Sequence, residues 1–156
     1  MTDERRTDDA RSEHILVGID GSDGSRAALA FAMDEAVLRD LPVRAVLAYD
    51  VPSSWVLTLG ATVDLDELRR AAWDKAVEQV GSATSARAAK GGTVPPVEPE
   101  VHRGPTGAVL ERLSRAANML VVGHRGRGEA ASMMIGSVGL NSVIHAHCTV
   151  VVVRGL

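Results

Sequence analysis

The sequence predicts an α/β protein with an open parallel sheet of five strands and helices on both faces. Short apolar runs alternate with longer segments in which apolar residues recur every three or four positions. This alternation is typical of parallel strands joined by helical crossovers. Aromatic residues make up only 3% of the 156 residues. Valine, alanine and leucine must therefore form the core, as in a sheet covered by alanine-rich helices.

Five strands and four helices are predicted in strict alternation. The strands are expected at residues 14–20, 43–49, 97–103, 119–122 and 148–154. The first two helices are expected at residues 25–40 and 63–90, and the last two begin near residues 104–107 and at residue 137. In the second helix, Trp73 lies beside the predicted inward stripe and is expected to be a core residue.

Composition and charge limit the functional classes. Residues 1–13 are almost entirely polar, which predicts a disordered tail before one domain over residues 14–156. The net charge of −3 argues against a dedicated nucleic-acid binder. No apolar run reaches the length of a membrane span, and no signal-peptide core is present. One cysteine, Cys148, excludes a disulfide framework, so we expect a cytoplasmic protein.

A glycine-rich basic loop, GHRGRGEAASMMIGS at residues 123–137, lies between a predicted buried strand and the last helix. Glycines let backbone N–H groups approach phosphate oxygens, and a helix N-terminus adds partial positive charge. Arg125 and Arg127 can add charge-assisted hydrogen bonds. Ser137 can cap the last helix and donate to a phosphate. Many such loops bind nothing, so the spacing alone leaves anion binding and a structural role both open.

Asp20 ends the first predicted strand. Ligands of open parallel sheets bind outside the carboxyl ends of the strands. Asp20 can accept a hydrogen bond from a ribose hydroxyl or an adenine amine, or help to hold a metal. It can also simply cap the following helix. Its expected place at the same sheet edge as the glycine loop favours a binding role.

Signatures of catalysis are weak in this sequence. Residues 123–128 match the first half of a P-loop, but Glu129 and Ala130 stand where Lys and Ser or Thr are required. No nucleophile elbow occurs, and the histidines and Cys148 lack zinc-site spacing. We therefore predict no catalytic residue and no metal ligand. His124 could assist a slow hydrolysis, so weak enzymatic activity stays open, with the balance against it.

The glycine loop resembles the nucleotide-binding signature of the universal stress proteins. Gly123 is followed after two residues by Gly126, and after nine more by Gly136 and Ser137. This spacing matches the family without gaps. Residues 15–22 and 145–154 extend the resemblance to most of the chain, roughly residues 15–154.

The closing valine run has no helix after it and leaves an exposed strand edge, so we predict a homodimer through this strand, between Thr149 and Arg154. The resemblance implies the same interface and a strand order of 3-2-1-4-5. The chain departs from the family pattern at His147 and Thr149, where prolines are frequent, and at Asn118, where an acid is frequent. None of these positions belongs to the phosphate loop.

The ATP-binding branch of the family implies a set of binding residues. Asp20 takes the place of the aspartate that holds the ribose and adenine. Ala48 takes the place of the residue whose backbone contacts adenine. The phosphates would be held by Gly123, Arg125, Gly126, Gly136, Ser137 and Val138.

The resemblance therefore implies an ATP-binding protein of stress response or signalling. Its nucleotide state would alter its dimer or an unknown protein partner. Whether Mg²⁺ accompanies ATP stays open. Two alternatives remain: a dimeric interaction module that does not use nucleotide, and a slow ATPase.

Overall fold

A computed structural model describes residues 13–51, 64–125 and 135–155. Of the predicted tail, residues 1–13, all but Glu13 lies outside the described residues. The strands are β1 (Ile15–Gly18), β2 (Val43–Tyr49), β3 (Val97–Arg103), β4 (Met119–Gly123) and β5 (Thr149–Val153). The helices are α1 (Asp23–Arg39), α2 (Leu65–Ala89), α3 (Thr106–Ser114) and α4 (Ser137–His145).

The five strands form one parallel sheet with the order β3-β2-β1-β4-β5, which confirms the predicted fold class. The chain proceeds outward from β1 to β3 and then returns to the other side of β1 with β4. Such a change of direction opens a crevice at the carboxyl ends of the two central strands. Gly18 of β1 and Gly123 of β4 end at this crevice.

The core lies in two layers, one on each face of the sheet. Because side chains alternate along a strand, Ile15 and Val17 face α1 and α2, whereas Leu16 faces α3. The same alternation in β4 sends Val121 to the first layer and Leu120 to the second. Each of these five side chains is fully buried, and burial of one such side chain stabilises the fold by about 1.5–3 kcal/mol.

Helix α1 has sequence signals at both ends. Its N-cap is Ser22, and Asp23 in the first turn and Arg39 in the last complement the helix dipole. Asp40 adopts a left-handed conformation at the C-cap, with φ of 54°. The helix consequently stops before β2, and its small inward residues, such as Ala28 and Ala32, allow close packing on the sheet.

The prediction that Trp73 is a core residue is wrong, because its relative exposure is 45%. The inward side of α2 carries Ala72, Ala76, Gln79 and Val80. Trp73 lies close to Val80 around the helix axis, but it is seven residues nearer the N-terminus of α2, where Ala72 is the first buried residue. Across the described part of the chain, no helix has the length and apolar character needed to cross a membrane.

Candidate functional site

A cleft opens at the carboxyl ends of β1 and β4, where the strand order changes direction. Its described walls enclose about 230 Å³. Six of the eight residues predicted from the sequence line it: Asp20, Gly123, Arg125, Gly136, Ser137 and Val138. The fold thus brings together residues that are separated by more than 100 positions in the sequence.

The first turn of α1 packs directly against the end of β4. A Cβ atom placed on Gly123 would lie 2.5 Å from the carbonyl carbon of Gly24 and 2.7 Å from its oxygen. A Cβ atom placed on Gly24 would in turn overlap the carbonyl oxygen of Arg125. Both positions therefore require glycine for close backbone approach, and this approach places Asp20 beside the start of the glycine loop.

Asp20 forms the turn that leads into α1. One carboxylate oxygen, Oδ1, accepts hydrogen bonds from the Ser22 backbone N–H at 2.9 Å and from the Ser22 hydroxyl at 2.5 Å. Ser22 Oγ accepts the N–H of Ser25 at 3.1 Å and is the N-cap. Asp20 therefore orients the capping residue rather than capping α1 itself.

The two described ends of the glycine loop are tied together by backbone hydrogen bonds. The N–H of Gly136 donates to the carbonyl oxygen of His124 at 2.9 Å, and the N–H of His124 donates to Val153 at 2.7 Å. The N-cap of α4 is Gly136, so the prediction that Ser137 is the N-cap is wrong by one residue. The exposed Ser137 is instead the first helical residue, and it lines the cleft.

Arg125 brings a positive charge to the cleft wall. Its Nε atom is buried and has no hydrogen-bond partner among the residues that the structure describes. A buried donor without a partner costs about 1–3 kcal/mol. An anionic ligand within reach of the guanidinium would offset this cost.

The N-terminus of α3 forms a part of the cleft that the sequence did not predict. Gly104 has a φ of 132°, which favours glycine, and its N–H donates to the carbonyl oxygen of Tyr49 at 2.8 Å. This turn directs the chain back over the sheet, so Thr106, the first residue of α3, lines the cleft. The only sequence signal was a helix start after a predicted strand, at the ligand-binding edge.

Three helix N-termini thus converge on one cleft. Ser22 and Ser25 belong to the start of α1, Thr106 to that of α3, and Ser137 to that of α4. The first N–H groups of a helix lack acceptors within the helix and carry partial positive charge. Together with Arg125, they create an environment suited to an anion with several oxygen atoms.

Two predicted residues do not line the described cleft. Ala48 lies near the carboxyl end of β2, two residues beyond Val46, which pairs with Gly18. It packs at the edge of the core layer formed with α3. Gly126 lies outside the described residues.

A second cavity, a groove of about 590 Å³, lies between α1 and α2. Asp20 also lines this groove, but none of the glycine-loop residues that the structure describes, 123–125 and 135–137, does. The position of Gly123 and Arg125 therefore favours the smaller cleft as the anion site. Among the described residues, no group of three or more histidine, cysteine, aspartate or glutamate side chains is arranged to hold a metal ion.

The parallel sheet, with a cleft where its strand order changes direction, defines a doubly wound α/β protein. The universal stress protein family model matches residues 11–154. This chain is a member of the universal stress protein family.

Sequence similarity to a named relative supports this assignment. The chain is 34% identical over 140 residues to universal stress protein Rv2624c of Mycobacterium tuberculosis. The match covers 90% of this chain but only 47% of that protein, so the chain spans about half the length of this relative.

Solved structures share the fold. A universal stress protein in complex with cAMP superimposes with a TM-score of 0.66 at 24% identity, covering 92% of this chain and 98% of that one. The universal stress protein of Archaeoglobus fulgidus in complex with dAMP gives a TM-score of 0.53 at 24% identity, covering 90% and 96%. At these identities the likeness shows the fold alone.

Proposed function

We propose that this chain binds an adenine nucleotide, with ATP as the preferred ligand, at the cleft between β1 and β4. The phosphates lie against Gly123, Arg125 and the first turn of α4, and Asp20 accepts a hydrogen bond from the ribose. Ala48 contacts the adenine through its backbone, and Gly126 completes the phosphate loop. The bound nucleotide then controls interactions in a stress or signalling response.

The observation that carries this proposal is the convergence of three helix N-termini and Arg125 on one cleft. This arrangement suits several phosphate oxygens, because each helix can donate from its first N–H groups. Asp20, a residue of opposite charge, lies at the same cleft. A ligand with an anionic end and a hydroxyl-bearing end fits both charges, as a nucleotide does.

Two structural neighbours are described as complexes with cAMP and with dAMP. These ligands share an adenine base and one phosphate, which supports the choice of base. They do not favour ATP over a monophosphate. Our preference for ATP rests on the family resemblance and on the number of donors that converge on the cleft.

The test is calorimetric titration of the chain, stripped of any bound nucleotide, with adenosine, AMP, cAMP and ATP. ATP is titrated with and without Mg²⁺. We expect affinity to rise with phosphate number. Arg125→Gln should weaken ATP binding by about 10- to 100-fold, since a charged hydrogen bond contributes about 1.5–3 kcal/mol, and should leave adenosine binding nearly unchanged.

Arg112→Gln is the matched control. It removes the same charge from the exposed last turn of α3, away from the cleft. Its affinities should equal those of the parent chain. Absence of heat and of thermal stabilisation with every nucleotide would contradict the proposed function, and equal losses in the two variants would contradict the assignment of Arg125.

We also propose that the chain forms a homodimer through β5 and the following residue, between Thr149 and Arg154. The side chains of Val150–Val153 are only half-buried. Three large apolar side chains of α4 are exposed, Leu140 by 49%, Val143 by 55% and Ile144 by 62%. An edge strand and a neighbouring apolar helix face are features of protein interfaces.

This surface also favours the second candidate function, an interaction module without a nucleotide. The titrations separate the two candidates, because a pure interaction module would form the dimer and bind no nucleotide.

A slow ATPase is the third candidate function. We expect slow ADP formation or none, since the described cleft holds no lysine. The free thiol of Cys148 suits the proposed cytoplasmic location.

A further inference from the structure

Helix α2 carries a buried amide where an apolar residue would be expected. Gln79 has a relative exposure of 8% and lies on the inward side of α2, next to Val80 and one turn from Ala76. A buried amide is costly unless it is hydrogen-bonded. The partners of Gln79 therefore indicate why a polar residue occupies this position.

Both hydrogen bonds of Gln79 reach the turn between β1 and α1. Its Oε1 accepts the backbone N–H of Gly21 at 2.8 Å. Its Nε2 donates to Ser25 Oγ at 2.9 Å. The partners are 58 and 54 residues away in the sequence, so α2 connects directly to the turn that contains Asp20.

The network has one self-consistent arrangement. The Gly21 N–H can only donate, so it must face the amide oxygen. The Ser25 hydroxyl donates to the carbonyl oxygen of Ser22 at 3.0 Å, which leaves its lone pairs for Gln79 and for the N–H of Asp20 at 3.3 Å. A side chain at this position must therefore both donate and accept. Glutamine can do both without carrying a charge, whereas ionised glutamate only accepts and methionine has no amide to donate or accept.

We propose that Gln79 is a positioning residue that holds the Asp20 carboxylate in the direction required by the ribose of the bound nucleotide. This inference rests on the proposed function. Gly21 has a φ of 83°, and its N–H is fixed by Gln79 while its neighbours, Asp20 and Ser22, are hydrogen-bonded to each other. Loss of the amide leaves Gly21 without this acceptor, and the turn that orients the carboxylate loosens.

The test compares ATP with 2′,3′-dideoxy-ATP, which lacks the ribose hydroxyls. Both are titrated into the parent chain, Gln79→Met and Val80→Thr at 10 °C, where each chain is confirmed to be folded. We expect the parent to prefer ATP by about tenfold, equivalent to one hydrogen bond to a charged group. In Gln79→Met, which keeps the shape but loses both hydrogen bonds, the preference should fall close to one.

Val80→Thr is the matched control, because it disturbs the neighbouring buried position on α2, whose side chain packs in the apolar core layer. It should lose stability and keep the tenfold preference. If lower stability alone reduced the preference for ATP over the dideoxy nucleotide, the preference would fall in both variants. If Gln79→Met does not fold, Gln79→Asn replaces it, since its amide is one methylene shorter and cannot span both Gly21 and Ser25, and the same fall in preference is expected.

Hydrogen exchange of the Gly21 amide without ligand is the second readout. It should accelerate in Gln79→Met well beyond the change at the core strands. If the parent discriminates between the two nucleotides and Gln79→Met discriminates equally, only the positioning role is overturned. If the parent binds neither nucleotide, the proposed function fails and the inference fails with it.

Discussion

The backbone N–H of His124 donates a hydrogen bond of 2.7 Å to the carbonyl oxygen of Val153. The carbonyl oxygen of His124 accepts the N–H of Gly136 at 2.9 Å. One residue therefore joins the end of β5 to the start of α4 and to the glycine loop. The proposed ligand site at the cleft and the proposed dimer edge of β5 are therefore connected through the same short stretch of backbone.

The register of β5 predicts which proline disrupts the proposed dimer. Gly123 pairs with Val153 and Val121 with Val151, and the Val153 carbonyl faces β4. Because backbone groups alternate along a parallel strand, the N–H of Val151 faces β4 and that of Val152 faces outward. Val152→Pro should therefore give a folded monomer, detected by light scattering and circular dichroism.

Val151→Pro is the control for this prediction. It removes an N–H from the ladder inside the sheet, so it should lower the free energy of unfolding more than Val152→Pro does. A Val152→Pro chain that remains fully dimeric at micromolar concentration would rule out the β5 edge as the interface.

Coupling through His124 predicts that nucleotide binding and dimerisation strengthen each other. In the proposed dimer, pairing at the outer edge of β5 would hold Val153, and through it the backbone of His124, in the position that the nucleotide requires. The monomeric Val152→Pro chain should bind ATP about 5- to 50-fold more weakly than the parent, within the usual range of coupling between sites. Isothermal titration at several protein concentrations measures this effect, and equal affinities for monomer and dimer would exclude the coupling.

The close approach of Gly123 to Gly24 predicts that alanine is not tolerated at either position. In Gly123→Ala the added methyl group meets backbone atoms, which cannot rotate away. We expect a loss of about 1–3 kcal/mol in the free energy of unfolding and weaker nucleotide binding, measured by urea denaturation and calorimetry.

Gly81→Ala is the matched control for this substitution. Gly81 lies on the exposed side of α2, and an added Cβ would meet nothing within 4 Å. This change should stabilise the fold by about 0.5–1 kcal/mol, because alanine favours a helix more than glycine does. If the two variants changed stability in the same direction, the packing of Gly123 would not explain the result.

An ion-pair network across β2 and β3 predicts a pH dependence of stability. Glu100 accepts two hydrogen bonds from the Arg44 guanidinium and one from His102. Burial raises the pKa of the Glu100 carboxyl. The hydrogen bonds and charges of Arg44 and His102 together lower this pKa by a larger amount, so it lies below the ordinary 4.5. The charged form is therefore the stabilising one.

The sign of the pH effect follows from this lowered pKa. The contribution of Glu100 to the free energy of unfolding is fully present above its unfolded-state pKa of about 4.5. It is lost as the pH falls through the lower pKa of the folded state. Glu100→Gln should destabilise the chain at pH 7 by about 1–3 kcal/mol, and the difference from the parent should shrink in acid. Urea denaturation between pH 7 and pH 3 measures it. Glu98→Gln, at an exposed position of β3, should show no such trend.

The apolar periodicity of the sequence predicted the helices and strands well, but it predicted less well which of their side chains are buried. The stripe through α2 correctly placed Ala72 and Ala76 inward but also suggested a buried Trp73, which is exposed. Periodicity indicates which side of a helix is apolar, but not how far along the helix the sheet covers that side. Gln79 was missed for a different reason, since its hydrogen-bond partners are supplied by a turn more than 50 residues away.

The N-terminus of α4 shows a similar limit at finer scale. Serine is a better N-cap than glycine by local preference, which predicted Ser137. The cap is Gly136, because its N–H is held by the carbonyl oxygen of His124. A tertiary hydrogen bond thus moved the helix start by one residue and left the Ser137 hydroxyl exposed at the cleft.

The sequence by itself determined the alternation of strands and helices, the parallel sheet and the glycine signature, because these depend on apolar period and on spacing along the chain. Only the tertiary structure decided that Thr106 lines the same cleft as Asp20 and Arg125, and that Gln79 holds the turn next to Asp20. Helix N-termini and buried amides acquire their role from what lies opposite them, and those partners come from distant segments that the folded sheet brings to one edge.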